Sequence, residues 1–428
     1  MAKHGRATVT VCSKSFLGLG TGQAKAFGFP DLPIAVIPHP FGSRKRDEIV
    51  AIAEQCADDI AQLVIATGQA ADAATGAGVE SAAALLQVSA DADEFNSDFM
   101  SRLWGDGLPL IAPTPARVER MLAKVRTNRN EVVACLAPGF GNATVELIAI
   151  NAVMAGCRPD YLPVLIAATQ AVAAPEFNLQ ALQSTTNPVA VWLIVNGPVA
   201  QQLGVNSGMN CLGEGFWANA TLGRALRLIL RNIGGARPGD LDRATQGQPG
   251  KFTFCCAENE AENPWEPLHV ERGFKRGQST VTVVGAEGTM NMNEHTKDAA
   301  EFVRVVGETM IHPSSNEYCH GAEPWLMLSP EHAEVLKRAG MSKLDVKRAL
   351  WESSKMVAGR MSGRGLMRTQ SSRKARYGEI TPQTVLAIAH QPEDMAILVA
   401  GGPGTQSVYI PSFGNTRSVT REVILADG

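Results

Sequence analysis

The sequence predicts a mixed α/β protein whose sheets are mostly parallel. Three observations carry that reading. Strand-like runs alternate with helix-periodic runs along most of the chain, the order of an α/β fold. The clearest strand, Val189–Val195, is seven apolar residues stopped by Asn-Gly-Pro. Several helix-periodic runs carry start and stop signals at both ends.

The first zone covers residues 1–66. ATVTVC reads as a strand, followed by a Gly-rich turn and a helix ending near Gly28. FPDLPIAVIPHPF is a second strand closed by prolines. RKRDEIVAIAEQCADDIAQLVIA places Ile49, Ile52, Ile60 and Leu63 on one face of an amphipathic helix. The order strand, helix, strand, helix belongs to an α/β domain, and 66 residues bury too little surface to stand alone. This zone is expected to pair with something else. Residues 67–107 read as a linker, Ala/Gly-rich in its first part.

The main body, 108–428, is continuous, with a candidate boundary between two subdomains near 275. Thr114 is an N-cap with Pro115 at the first helical position. NATVELIAINAVMAGC has helix-spaced apolar residues and Gly156 near its end. RPDYLPVLIAATQAV begins another helix. ANATLGRALRLILRNIGG is a helix closed by Gly234 and Gly235. STVTVVGAEG is a strand running into a turn. EPWLMLSPEHAEVLKRAG is a strand, then Ser329 as N-cap and a helix. Ser342 and Asp345 form a capping box for the next helix. MAILVAGGPG is a last strand ending in glycines. No period of 20–50 residues signals a solenoid.

Composition excludes several classes. With 39 Lys+Arg against 42 Asp+Glu, the net charge of −3 gives no electrostatic reason to bind nucleic acid or an anionic membrane. No apolar run approaches the roughly 18 residues of a membrane span. The start has no secretory h-region, and eight cysteines in 428 residues are not a disulfide scaffold. A cytoplasmic protein with reduced thiols is expected. Charged residues are only 19%, against about 25% usually, which hints at burial between subunits. The one basic run, residues 360–376, reads as a solvated loop or as an anion-binding or subunit-facing one.

Several stretches could carry chemistry. Asn206–Arg224 packs Asn206, Ser207, Cys211, Glu214 and Asn219 between glycines before a helix that holds Arg224. Such loops offer free backbone N–H groups, so these residues are the substrate-binding candidates; the alternative is a glycine-shaped loop with satisfied amides. In FCCAENE, Glu258 and Glu260 are better acid–base candidates than Cys255 and Cys256 are nucleophiles, because nearby carboxylates raise a thiol pKa. In GAEGTMNMNEH, Glu287 and His295 follow a strand, where α/β proteins bind ligands, and qualify for proton transfer. Cys319 and His320 with His295 form a candidate metal-ligand set, without any recognised spacing. Cys157, beside Arg158, is a candidate reactive thiol; a small buried residue at a helix end is the plainer reading. Cys12 and His39 end the two strands of the first zone. Ala400–Arg417 is a glycine turn without the Lys of a P-loop.

Residues 3–64, above all GFPDLPIAVIPHP, resemble the C-terminal half of the UGSC-type (seleno)protein domain. The resemblance implies thiol or selenol chemistry from a selenocysteine- or cysteine-Gly-Ser-Cys motif that precedes this half. No Cys-Gly-Ser-Cys occurs in the sequence. Either the motif is lost or a separate small chain supplies it, and the size argument favours the second. ATVELIAINAVMAGCRPDYLPV, ANATLGRALRLILRNIGGARPGD, PGKFTFCCAENE and SPEHAEVLKRAG resemble a longer bacterial protein type found with such domains.

The expected function is the large subunit of a hetero-oligomeric thiol- or redox-dependent enzyme for a small polar organic substrate. Its partner would be a small Cys-Gly-Ser-Cys subunit. Proton transfer would fall to Glu258, Glu287 and His295. The alternatives are a metal-dependent lyase or hydrolase, with a divalent metal as the candidate cofactor, and a non-catalytic scaffold that positions the small partner.

Overall fold

The structure is a computed structural model and describes residues 8–67 and 84–425. Its amino-terminal unit pairs β1 (Thr10–Ser13) with β2 (Ile34–Ile37) in parallel, Cys12 opposite Val36. Helices Leu17–Ala26 and Arg46–Thr67 follow the strands in the predicted order. The unit's apolar burial is slight: Ala24, Ala35 and Cys56 are covered, while Val11, Val36, Val50 and Ile65 stay exposed. Among the described residues no third strand joins this sheet.

The body opens earlier than the sequence suggests. Helix Ala92–Ser101 is capped by Asp91, which accepts from the amides of Asp93 and Glu94. It sends Phe95 and Phe99 into the body's core. The second part of the expected 67–107 linker is therefore packed structure, while 68–83 lies outside the described residues. A hairpin of β3 (Val132–Leu136) and β4 (Gly141–Thr144) follows.

The remaining strands are β5 (Ala190–Asn196), β6 (Cys255–Ala257), β7 (Thr280–Ala286), β8 (Met290–Asn293), β9 (Trp325–Leu328), β10 (Met356–Val357), β11 (Val385–Leu386), β12 (Ala396–Val399), β13 (Gln406–Ile410) and β14 (Val419–Glu422). They build a short β10–β11 pair and two four-stranded sheets, ordered β14-β7-β5-β6 and β12-β9-β13-β8. The two sheets stack face to face. Ala190, Trp192 and Ile194 point into the layer between them, and Leu193 and Val195 point to the helices. Both faces of β5 are covered, which is why its sequence is apolar without alternation. Helices Val145–Ala155, Leu162–Val172 and Trp217–Asn232 cover the first sheet. Helices Ala299–Thr309, Pro330–Arg338 and Lys343–Ser353 cover the second. The result is a four-layer α/β/β/α sandwich.

The mixed α/β class holds, but the expected dominance of parallel pairing does not. Among the described residues three strand pairs are parallel and six antiparallel. The physical reason is connection length. β5 reaches β6, and β9 reaches β12, through helical crossovers, so these pairs are parallel. Only residues 400–405 join β12 to β13. That is too short for a crossover, so β13 runs back beside β9.

The two sheets are copies. Leu193 pairs with Val283 and Cys255; Leu326 pairs with Tyr409 and Ile397. Read from the outer edge, β14-β7-β5-β6 and β8-β13-β9-β12 show the same succession of antiparallel, antiparallel and parallel contacts. Each repeat lends its last strand to the other's sheet: β8 joins the second and β14 the first. Around the pseudo-twofold axis, the Glu287 amide donates to Pro411 O at 2.8 Å, and its counterpart, the Phe413 amide, donates to Gly285 O at 2.9 Å. Trp192 and Trp325, also counterparts, meet edge to face at 5.5 Å. Residue 275 lies inside the first repeat, between β6 and β7.

Several caps appear where the sequence places them. The Ser342–Asp345 capping box forms, Ser329 caps its helix, and Gly156 ends its helix in the left-handed region at φ 88°. The basic run is not a loop: Gly363–Tyr377 is a helix capped by Ser362. No single helix among the described residues is long and apolar enough to cross a membrane; one bent pair, Pro159–Val172 with Pro175–Ser184, has the length and composition. Most of that pair is buried in the first core.

The amino-terminal unit rests on the body through several contacts, among them the Phe27 ring 4.9 Å from the Phe140 ring between β3 and β4. Gly18 and Gly22 lie against Asp240 and Leu241, with the Arg243 guanidinium 5.5 Å over the Phe16 ring. On the other side, Arg364 Nη1 donates to Gly42 O at 2.6 Å.

Candidate functional site

Two carboxylates meet where β7 and β13 end, near the pseudo-twofold axis. Glu287 stands one residue past β7, half-buried, and its Oε1 accepts from Asn187 Nδ2 at 2.7 Å and Asn316 Nδ2 at 2.8 Å. Glu317 lies in the short helix Asn316–His320, which Ser315 caps. It is fully buried. Its Oε1 accepts from the Ser412 amide at 2.9 Å, and the Tyr409 hydroxyl bonds its Oε2. No cation pairs with it among the described residues. Burial pushes the Glu317 carboxyl up to about 8, and Glu287's charge adds to the rise. Burial also raises Glu287, against the two amides that favour its charged form. At neutral pH, then, Glu317 holds a proton behind an outward-facing Glu287 that sits in a fixed pose. Such a pair can take up and return a proton.

His320 follows on the same short helix. Burial lowers its pKa, and Arg368 and Arg373 lower it further, so the ring is neutral at pH 7. Arg368 Nη2 lies 3.5 Å from Asn316 Oδ1.

The amino-terminal unit contacts two segments that lead to this cluster. Arg364 and Arg368 are four apart on one helix, so they share a face about 6 Å apart along the axis. The first holds Gly42 and the second touches Asn316. In the other segment, the Thr245 amide donates to Thr186 O at 2.9 Å, tying the Asp240–Arg243 seat to the residue before Asn187. β1 ends on Ser13 and the loop after β2 carries His39, with Ser13 Oγ 3.1 Å from His39 Nδ1. The C-terminal ends of parallel strands are where α/β units bind ligands.

Glu258 belongs to a different, sealed cluster. It follows β6, is 4% exposed, and accepts from Asn196 Nδ2 at 2.6 Å, the Leu268 amide at 2.7 Å and Asn263 Nδ2 at 2.8 Å. Burial pushes it up to about 7 while the Lys343 charge opposes the rise. Glu260 accepts from the Gly197 amide at 2.7 Å and faces His269 Nδ1 at 3.6 Å. These contacts fasten the loop after β6 to the end of β5.

The structure does not bring Glu258, Glu287 and His295 together. His295 lies beyond β8, exposed, with its Nδ1 2.8 Å from Thr405 Oγ1. Cys157 is no activated thiol. Arg158 stacks on the Trp217 ring at 4.7 Å instead of facing it, and burial pushes the thiol up to about 12. The metal set is not assembled either. Cys319 sits in the second core. Among the described residues no three His, Cys, Asp or Glu side chains are grouped to hold a metal ion.

The substrate-binding candidates mostly hold their own loop. Asn219 is buried; its Oδ1 accepts from the Asn206 amide at 2.8 Å, and its Nδ2 donates to the carbonyls of Asn206, Cys211 and Cys255. Asn206 Oδ1 accepts from the Gly208 amide at 2.9 Å. Arg224 pairs with Asp106 at 2.7 Å and caps the carbonyls of Leu108 and Pro109. The Ser207 carbonyl accepts from the Gly401 amide at 2.8 Å. Glu214 is exposed, and Cys211 is buried against the inter-sheet core beside Cys256. A hydrogen bond from the Cys256 thiol is the largest cause lowering the Cys211 thiol pKa.

Sequence reasoning missed Glu317, Asn187, Asn316, Tyr409 and Ser412. The usable signal was the acid in NEYCH, three residues before His320. It also missed His332, buried with its Nδ1 2.7 Å from Ser407 Oγ and its Nε2 2.8 Å from Glu294 O.

Among known proteins, the UGSC family matches residues 1–66. No curated protein and no solved structure matches the chain.

Proposed function

We propose that this chain is the large subunit of a hetero-oligomeric enzyme that acts on a small polar organic molecule. The active site lies between the UGSC-like unit and the body. Glu287 is its acid–base group, Glu317 the buried proton store behind it, and Arg368 and His320 flank the substrate. A partner chain completes the β1–β2 sheet and supplies the thiol or selenol of a Cys-Gly-Ser-Cys motif. The observation that carries this reading is two contact chains from the UGSC-like unit to the acid pair: Gly42 is held by Arg364, one turn from the Arg368 that touches Asn316, and Gly18 and Gly22 lie against the Asp240–Leu241 loop, which Thr245 ties to Thr186 beside the Asn187 that holds Glu287. The parallel β1–β2 pair with exposed Val11 and Val36 supports a completing partner.

The test uses the complex isolated from its own cells, incubated with a small-metabolite extract and followed by untargeted mass spectrometry. Turnover of at least one polar metabolite is expected. It should fall by about 100-fold or more in Glu287→Gln with the complex intact, the range of general acid–base catalysis. Unchanged turnover in that variant, or full turnover by this chain alone, would contradict the reading.

A further inference from the structure

A second polar site lies between helix Trp217–Asn232 and the loop Gly235–Lys251. A small cavity there is lined by Gln183, Gly223, Leu226, Arg227, Leu230 and Lys251 among others, with room for about one water-sized group. Its charge balance is unusual. Arg224 pairs with Asp106, Arg227 and Lys251 share Asp242, and Arg231 and Arg237 stand beside them. Asp242 already accepts from Arg227 Nη2 at 2.6 Å, Lys251 Nζ at 2.8 Å and the Ala244 amide at 3.1 Å. Arg231 and Arg237 make no ion pair among the described residues, and the Nε of each is buried without a partner.

Gln183 points to what is missing. It is 2% exposed, and Arg227 Nη1 donates to its Oε1 at 2.9 Å. That bond fixes the amide's orientation, because an arginine can only donate. The Gln183 Nε2 is therefore the free end, and it is buried with no partner. Of the three polar side chains lining the cavity, Arg227 and Lys251 can only donate, and the one acceptor of Gln183 is taken by Arg227. A water needs acceptors as well as donors; an acceptor-only species does not.

From this geometry we infer that the cavity is a binding site for one small inorganic anion of halide size, held by Gln183 Nε2, Arg227 and Lys251. The anion offsets part of the positive excess and occupies the unused amide donor. It also sits beneath the loop that seats the amino-terminal unit, since Arg227 Nη2 reaches Ala236 O at 3.2 Å and Leu241 of that loop lies against Gly22.

The test uses the full chain in two forms. Thermal unfolding is measured while chloride replaces gluconate at constant ionic strength, and crystals grown in bromide are examined for anomalous scattering. The expected result is a saturable rise in Tm with chloride or bromide, one bromide peak in hydrogen-bond range of Gln183 Nε2, and loss of the chloride dependence in Gln183→Leu. A Tm that follows ionic strength whichever anion is present, or a water in the cavity of bromide-grown crystals, would overturn the inference. The crystallographic arm needs only the wild-type chain, so a variant that fails to fold leaves the question decidable.

Discussion

The two repeats of the body share a strand order and register, yet only one side of their common axis carries reactive groups. Glu287 follows β7 in the first repeat; its counterpart after β13 is Phe413, an apolar residue. The Asn316–Glu317 step stands before β9. The corresponding place before β5 holds Gln183, which turns to Arg227. The same framework thus yields an acid pair on one side and a donor-rich cavity on the other. Scaffold and chemistry are separable here: the register is duplicated, and the side chains at the strand ends are not.

The largest expected effect tests the duplication itself. Trp192 and Trp325 are both fully buried at the sheet interface. Trp192→Ala and Trp325→Ala should each cost about 3–5 kcal/mol in urea unfolding, by similar amounts. A large loss in one and a small loss in the other would show that the two sheets do not share one core.

The acid clusters sharpen the comparison through pH. Glu317 is raised from 4.5 to about 8 and Glu258 from 4.5 to about 7. A raised carboxyl holds its proton in the folded state after the unfolded chain has lost it. Its contribution is therefore fully present below about pH 4.5 and is lost as pH rises through the folded value, at up to about 1.4 kcal/mol per pH unit. Wild-type stability should decline from pH 5 to 8. Glu317→Gln should flatten the curve across that whole range. Glu258→Gln should flatten it only below about pH 7, because Lys343 restrains its shift. Equal curves from denaturant titrations at several pH values would remove the distinction between the clusters.

How much of this was legible follows from what each signal encodes. Burial on both faces of β5 shows directly as an unbroken apolar run, and caps such as Ser342–Asp345 are local, so both were readable. Strand direction was not, because it depends on connector length and on where a strand finds a free edge; β8 and β14 cross to the other repeat's sheet. Glu287 was legible from its place after a strand. Glu317 was not, since its role comes from Tyr409 and Ser412, nearly a hundred residues downstream in sequence. Arg224 and Asn219 looked free in a Gly-rich loop, and only folding shows that Asp106 and three carbonyls occupy them.

The smallest effect concerns the seat of the amino-terminal unit. Arg364→Ala removes one exposed bond to Gly42 O and should cost about 1 kcal/mol or less of local stability. Hydrogen exchange should quicken in β2 and the loop after it, with the two body sheets unchanged. Faster exchange in the body would mean that the unit is part of the body's cooperative core.

The central claim is that the UGSC-like unit is half of a shared domain beside the Glu287 site. Native mass spectrometry of the chain from its own cells tests it most directly. The account predicts a complex with a small chain carrying Cys-Gly-Ser-Cys, lost when Val11 and Val36 are both changed to Lys, with the large chain still folded. A homo-oligomer without any such chain would contradict it.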